Sequence, residues 1–123
     1  MNVQIYISRK DEVFLRSYRM IRDVVADFSE KYKFKTLEIG VIAVPTGEEE
    51  KYRYYGHITV KINGEDIEER SDKEYRSESR TYSENGREVK HVPRNTFIAA
   101  VERYIEASIE AKKMKGDTSG PIC

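Results

Sequence analysis

The chain of 123 residues has little cysteine, since its only cysteine, Cys123, is the last residue. One thiol excludes an internal disulfide framework, so the fold depends on packing. No apolar run approaches the roughly 18 residues that a membrane span needs, and the first residues do not resemble a signal peptide. The length suits one domain. We therefore expect a cytoplasmic single-domain protein without a membrane partner.

The sequence also lacks an excess of charge of one sign, because 22 basic residues balance 22 acidic ones. This balance argues against bulk attraction to nucleic acid or anionic membranes. Nucleic-acid binding through Arg16, Arg19 and Arg22 of the first predicted helix is a third alternative, which the balanced charge disfavours. The high charged fraction of 36% is also typical of surfaces rich in ion pairs, as in thermophilic proteins.

Hydrophobic spacing predicts a βαβ unit in the first half of the chain. Alternating apolar residues indicate a strand over residues 3–8, and residues 36–44 indicate a second strand covered on both faces. Between them, apolar residues recur at helical spacing over residues 11–32. The members of this stripe are Phe14, Tyr18, Ile21, Val25, Phe28 and Tyr32. Such a unit predicts a parallel strand pair. Residues 48–55 suit either helical turns or an ordered loop.

Two Asn-Gly pairs predict tight hairpins in the second half. Asn63-Gly64 follows alternating residues from His57 and is typical of a type I′ turn, with the return strand reaching residue 68. Asn85-Gly86 predicts pairing of residues 79–82 with 88–92. The polar residues 69–78 between the hairpins suit a mobile loop or a segment ordered by a partner.

Pro93 is typical of the beginning of a helix, and apolar spacing predicts that this helix continues to Gly116. Its expected apolar stripe consists of Phe97, Val101, Tyr104, Ile105 and Ile109, widened by Ile98 and Ala100. Residues 117–123 are then expected to form a flexible tail. A ferredoxin-like sandwich needs a strand after this helix, which the polar tail does not offer.

The order of these elements resembles the thioredoxin-like fold, and its glutaredoxin-like members most. In that family a Gly-x-Pro-Thr segment enters a strand that turns through Asn-Gly, and residues 56–64 here read Gly-His-Ile-Thr-Val-Lys-Ile-Asn-Gly. The resemblance implies an α/β domain over residues 1–116, with a central mixed β-sheet and both long helices packed on it.

Two departures from that family bear on function. Its redox-active members carry Cys-x-x-Cys between the first strand and the helix, where this chain has Ser8-Arg9-Lys10-Asp11. Dithiol chemistry is therefore not expected. The family's cis-proline position holds Ile58, and a cis bond before a non-proline residue costs roughly 3–4 kcal/mol. We therefore expect a trans bond and an altered groove at His57 and Ile58.

Other candidate sites carry weak signals. Ser8, Arg9 and Lys10 lie where helix amides and cations favour anions. A plain helix cap, by Ser8 or Asp11, explains this segment better. Tyr52, Tyr54 and Tyr55 suit either a protein interface or the core.

The two histidines, His57 and His91, with Asp66 or Cys123, can form a metal site only if the fold brings them together. Neither lies in a ligand-spaced motif, so we expect no metal and no cofactor. We find no catalytic motif either, although an enzyme is not excluded. The sequence thus predicts a non-catalytic binding or protein-interaction module that forms a homo-oligomer or binds another protein. The expected surface for a homo-oligomer is a sheet edge or the tyrosine-rich segment. The alternative is a thiol-dependent redox protein, or a redox-controlled dimer, acting through Cys123.

Overall fold

The computed structural model describes residues 1–32, 38–68 and 75–119, apart from the side chains of Ser77 and of residues 109–119. Within these ranges, two helices and three β-sheets form a mixed α/β fold. The main sheet contains β1 (Asn2–Ile7), β2 (Glu38–Ala43), β4 (Thr59–Ile62) and β5 (Glu65–Asp66). Their order across the sheet is β2-β1-β4-β5.

The first half of the chain forms the predicted βαβ unit. Helix α1 (Glu12–Tyr32) connects β1 to β2, and these two strands pair in parallel with Ile5 opposite Val41. Phe14, Ile21 and Val25 of the predicted stripe are buried, whereas Tyr32 is 41% exposed at the last turn. The helical spacing was therefore right, but the stripe extends one turn too far.

Helix α2 (Arg94–Ser119) packs on the same face of the sheet as α1. The apolar residues of β1 and β4 and the inward residues of both helices form one cluster. This core includes Val3, Ile5, Ile7, Val60, Ile62, Phe14, Ile21, Phe97, Val101 and Ile105. Pro93 precedes the first turn, as expected, and its carbonyl accepts from the Phe97 amide at 3.1 Å. The expected stop at Gly116 is wrong, because α2 runs on to Ser119.

The opposite face of the main sheet is covered by the segment that follows β2. Tyr6, Val44 and Tyr54 form a second buried cluster there, with Ile42 and Tyr52 packed against it. Residues 48–53 of this segment form hydrogen-bonded turns, including Tyr52 N to Glu48 O at 3.3 Å. The main sheet therefore has helices on one face and a tyrosine-rich loop on the other.

Both Asn-Gly turns are confirmed. Asn63 and Gly64 have φ angles of 49° and 86°, and Asn85 and Gly86 have φ angles of 52° and 78°. The first turn joins β4 to β5, which pair antiparallel. The second joins β7 (Tyr82–Glu84) to β8 (Arg87–Val89). The first strand of this hairpin begins at residue 82, three residues after the predicted start at residue 79.

Two predictions about strands are wrong. Strand β2 is not covered on both faces: it is an edge strand, and Val41 is 38% exposed. An apolar run without polar alternation does not distinguish a buried strand from an uncovered edge. In the segment expected to be a loop, β6 (Arg76–Ser79) pairs in parallel with β3 (Tyr55–His57). Residues 36–37 and 69–74 of these predictions lie outside the described residues.

Candidate functional site

The junction between β1 and α1 brings several predicted site residues together. Asp11 caps α1, because its Oδ1 accepts a hydrogen bond from the Phe14 amide at 2.9 Å. Its other oxygen, Oδ2, lies 3.0 Å from Nε of Arg9. Of the two caps that the sequence offered, Ser8 and Asp11, Asp11 is therefore the one that satisfies a helix amide.

His57 lies beneath this junction and is 1% exposed. Its Nδ1 lies 3.1 Å from the backbone nitrogen of Ser8, and its Nε2 lies 3.1 Å from Oδ1 of Asp11. The Ser8 amide can only donate, so Nδ1 accepts and the ring proton is on Nε2, where it is donated to Asp11. A neutral imidazole thus has both nitrogens occupied.

Two further contacts connect the junction to other strands. Oγ of Ser8 lies 2.6 Å from the hydroxyl of Tyr54, which is fully buried. Arg9 donates from Nη2 to Oγ of Ser79 at 3.0 Å, which connects the junction to β6. We call Ser8, Arg9, Asp11, Tyr54 and His57 the junction network.

Burial and hydrogen bonding shift the pKa values in the junction network. Burial lowers the pKa of His57, and the carboxylate of Asp11 opposes this only in part. Burial by itself would raise the pKa of Asp11, but the Phe14 amide and His57 outweigh it and lower that pKa. Burial also raises the pKa of Tyr54. At neutral pH the network therefore holds a carboxylate, a neutral imidazole and a neutral phenol.

The chemistry of this arrangement is limited. A nucleophilic hydroxyl needs a base that accepts its proton, and an imidazole supplies one through an unoccupied nitrogen. Both nitrogens of His57 are occupied, and Oγ of Ser8 lies against Tyr54, whose neutral phenol is no base. The geometry therefore holds the β1–α1 junction against β3 and does not assemble a nucleophile and its base.

The peptide bond between His57 and Ile58 is cis, so the expected trans bond is wrong. Ile58 is fully buried, and its carbonyl accepts from the Tyr82 hydroxyl at 2.7 Å. Next to it, Oγ1 of Thr59 bonds the carbonyl of Gly56 at 2.7 Å and the amide of Tyr55 at 3.1 Å. These bonds satisfy the backbone where the chain passes from β3 to β4.

The remaining predicted residues are not brought into the junction network. Lys10 is exposed, Tyr52 is half-buried and Tyr55 is buried, where its ring stacks on Tyr75 at 5.3 Å. The tyrosine segment therefore packs mostly inside the chain. Cys123 lies outside the described residues.

The two histidines bond to different carboxylates. His57 contacts Asp11, whereas Nε2 of His91 lies 3.4 Å from Oε2 of Glu84. Asp66 contacts Arg80 and not a histidine. In the parts of the chain that the structure describes, no group of three or more histidine, cysteine or acidic side chains is placed to hold a metal ion.

Sequence reasoning missed Ser79 and treated Asp11 only as a cap. The position of Asp11 three residues before Phe14 was a sufficient signal for the cap, but its contact with His57 depends on the packing of β3. Ser79 was predicted to begin the first strand of the second hairpin, so no pattern pointed to its place in β6 or to its contact with Arg9.

Comparison with known proteins gave no relative: no family model, no curated protein and no solved structure matches the chain significantly. Within residues 1–32, 38–68 and 75–119, no helix combines the length and apolar character needed to cross a bilayer. The cytoplasmic location stays a prediction.

Proposed function

We propose that this chain is a non-catalytic protein-interaction module on a thioredoxin-like scaffold, and that its first partner is a second copy of itself. The scaffold part of the proposal rests on topology. A parallel β1–β2 pair across α1, an antiparallel β4–β5 hairpin and the helix α2 occur in the order that the resemblance implied. The junction network supports a non-catalytic role, because His57 has no nitrogen left to act as a base.

The observation that carries the interaction proposal is the open edge of β2. It is the outermost strand of the main sheet, and no strand among the described residues pairs with its outer side. Exposed edges are usually protected by lysine, proline, bulges or short length. Strand β2 has six residues, Glu-Ile-Gly-Val-Ile-Ala, and only its first is charged. Such an edge is a template for another strand.

A second copy fits this edge by antiparallel pairing. If Val41 lies on the two-fold axis, it faces its own copy, Ile39 faces Ala43 and Gly40 faces Ile42. Opposed residues then lie on equivalent faces, so the helices of both copies cover the same side of a continuous sheet. Val41 is the most exposed large apolar residue of the strand, at 38%. The tyrosine segment is a poorer interface, since Tyr54 and Tyr55 are buried within the chain.

Replacing Val41 with lysine tests the proposal. In the antiparallel pair, Val41→Lys places two ammonium groups opposite each other, which is destabilising. We expect the wild-type protein to be a dimer by size-exclusion chromatography with light scattering, and Val41→Lys to be a monomer with at least tenfold weaker self-association. The matched control is Leu15→Lys on α1, where a side chain of similar exposure, 45%, lies off the edge.

Two outcomes contradict the proposal. A wild-type monomer at all concentrations removes self-association, and equal dissociation by Val41→Lys and Leu15→Lys removes the β2 edge as its cause. The same chromatography with reductant, and with the Cys123→Ser variant, distinguishes association through the β2 edge from association through the thiol. A dimer that is lost on reduction and in Cys123→Ser assigns the association to the thiol and overturns the β2 interface.

A further inference from the structure

A polar pocket lies between the tyrosine segment, to which Arg53 and Tyr55 belong, the β4–β5 hairpin and α2. Its volume is about 380 Å³, within the range of small-molecule sites. Three basic and three acidic side chains line it. They are Arg53, Lys61, Arg103, Glu65, Asp66 and Glu68. The pocket shares none of these residues with β2 or with the junction network.

Two of the basic side chains that line the pocket are held in place by the fold. Lys61 is 5% exposed, and its ammonium group lies 3.1 Å from the Tyr52 carbonyl. The same group lies 4.9 Å and 5.8 Å from the ring centroids of Tyr6 and Tyr55. Arg103 donates from Nη2 to the carbonyl of Ile67 at 2.9 Å. Two of the three cations are therefore positioned before any ligand arrives.

The acidic side chains of the pocket repel an anion less than their number suggests, because Asp66 is already paired. Its two oxygens lie 2.7 Å and 2.8 Å from the guanidinium of Arg80, which is fully buried. Oδ1 of Asp66 also accepts from the Glu68 amide at 2.9 Å. Because Arg80 compensates the charge of Asp66, the remaining charged groups of the pocket are three cations and the two carboxylates of Glu65 and Glu68. Counted over the residues that the structure describes, the pocket thus has a net positive charge.

We propose that this pocket binds a small oxyanion, carried by a carboxylate or a phosphate group, through Arg53, Lys61 and Arg103. Guanidinium groups present several N–H donors in a fork that matches both kinds of oxyanion. A buried ammonium group beside them adds charge where water screens it least. The binding site is independent of the proposed dimer, which uses the opposite edge of the main sheet.

Amide NMR titration of the full chain tests this site. Inorganic phosphate and succinate serve as probes in separate arms, with sodium chloride holding the ionic strength constant. We expect saturable shifts at the amides of Gly64, Asp66 and Arg103 with at least one probe. Arg53→Gln and Arg103→Gln should each weaken the affinity at least fivefold. The control is Arg87→Gln on β8, an exposed arginine outside the pocket, which should leave the affinity unchanged.

The two probes distinguish the source of the oxyanion. Saturation by phosphate alone assigns a phosphoryl ligand, and saturation by succinate alone assigns a carboxylate ligand. Shifts that grow linearly with both probes overturn the site, as does an equal loss of affinity in Arg53→Gln and Arg87→Gln. Because Arg103 also bonds Ile67, Arg53→Gln decides the result if Arg103→Gln does not fold.

Discussion

Arg80 carries a charge into the interior of the protein. It is fully buried, and its guanidinium lies 4.5 Å above the ring of Tyr82 and forms two short bonds with Asp66. Burial lowers the pKa of Arg80, but the bonds with Asp66 outweigh this effect and raise it. Its Nε has no hydrogen-bond partner among the described residues. The guanidinium thus depends mainly on Asp66 to offset its desolvation, with a smaller contribution from Glu68.

Removing that carboxylate should be costly. Asp66→Asn leaves the buried charge of Arg80 uncompensated, and we expect the free energy of unfolding to fall by roughly 3–5 kcal/mol. Urea denaturation measures the change. The control is Lys51→Gln, which breaks the exposed pair between Lys51 and Glu48 and should cost about 1 kcal/mol or less. Equal effects of the two substitutions would contradict the account.

His57 should make stability depend on pH. Its folded-state pKa lies below the ordinary value of 6.5, so the unfolded chain takes up a proton before the folded chain does. The contribution of His57 to stability is therefore present above about pH 6.5 and lost as the pH falls toward the folded-state pKa. One such proton gives a slope of at most about 1.4 kcal/mol per pH unit.

Urea unfolding between pH 7.5 and 5.5 measures this slope. His57→Gln removes the titrating group and should flatten the curve, whereas His91→Gln, at the half-buried histidine beside Glu84, should keep it. If the slope survives in His57→Gln and disappears in His91→Gln, the pH dependence comes from His91, which would contradict the account.

At the scale of elements, the sequence predicted the turns that local residue chemistry determines. It missed the strand pairing and exposure that depend on packing. Both Asn-Gly turns were predicted, because a type I′ turn requires positive φ angles that these residues adopt readily. The pairing of β6 with β3 was not predicted, because residues 76–78 of β6 belong to a polar run that is typical of a loop. The exposure of β2 was also missed, since it depends on where the sheet ends.

The contact between β3 and β6 can be tested at Gly56. This residue has a φ of 110°, and a Cβ there would lie 2.7 Å from the carbonyl oxygen of Glu78. We expect Gly56→Ala to lower the free energy of unfolding by roughly 1–3 kcal/mol, because it combines backbone strain with a steric clash. The control is Gly40→Ala, where a Cβ meets nothing within 4 Å of the same chain. Because Gly40 lies in the proposed pairing of two β2 strands, both variants are compared in the Val41→Lys background.

Thermal and urea unfolding of both variants give the comparison. Gly40→Ala should be neutral or slightly stabilising, since alanine restricts the unfolded chain. A Gly56→Ala variant as stable as Gly40→Ala would mean that β6 does not pack against β3 as described.

At the scale of the whole molecule, the candidate site was predicted in part. Ser8, Arg9 and His57 were singled out from the sequence, and the fold places them in one network. Their chemistry was not readable, because it depends on which atoms meet: the Ser8 amide, and not its hydroxyl, contacts His57. That detail turns a set of reactive residue types into a structural contact, which is why we propose the sheet edge, and not this network, as the functional surface.

The central claim is that the β2 edge pairs with a second copy of the chain. Amide hydrogen exchange of residues 38–43, measured at low and high protein concentration, tests it most directly. Strand pairing protects amides that otherwise point to solvent, so we expect slower exchange in β2 at high concentration and no change in β8, which does not belong to the main sheet. Exchange in β2 that is the same at both concentrations, while light scattering reports a dimer at the higher one, would contradict the claim.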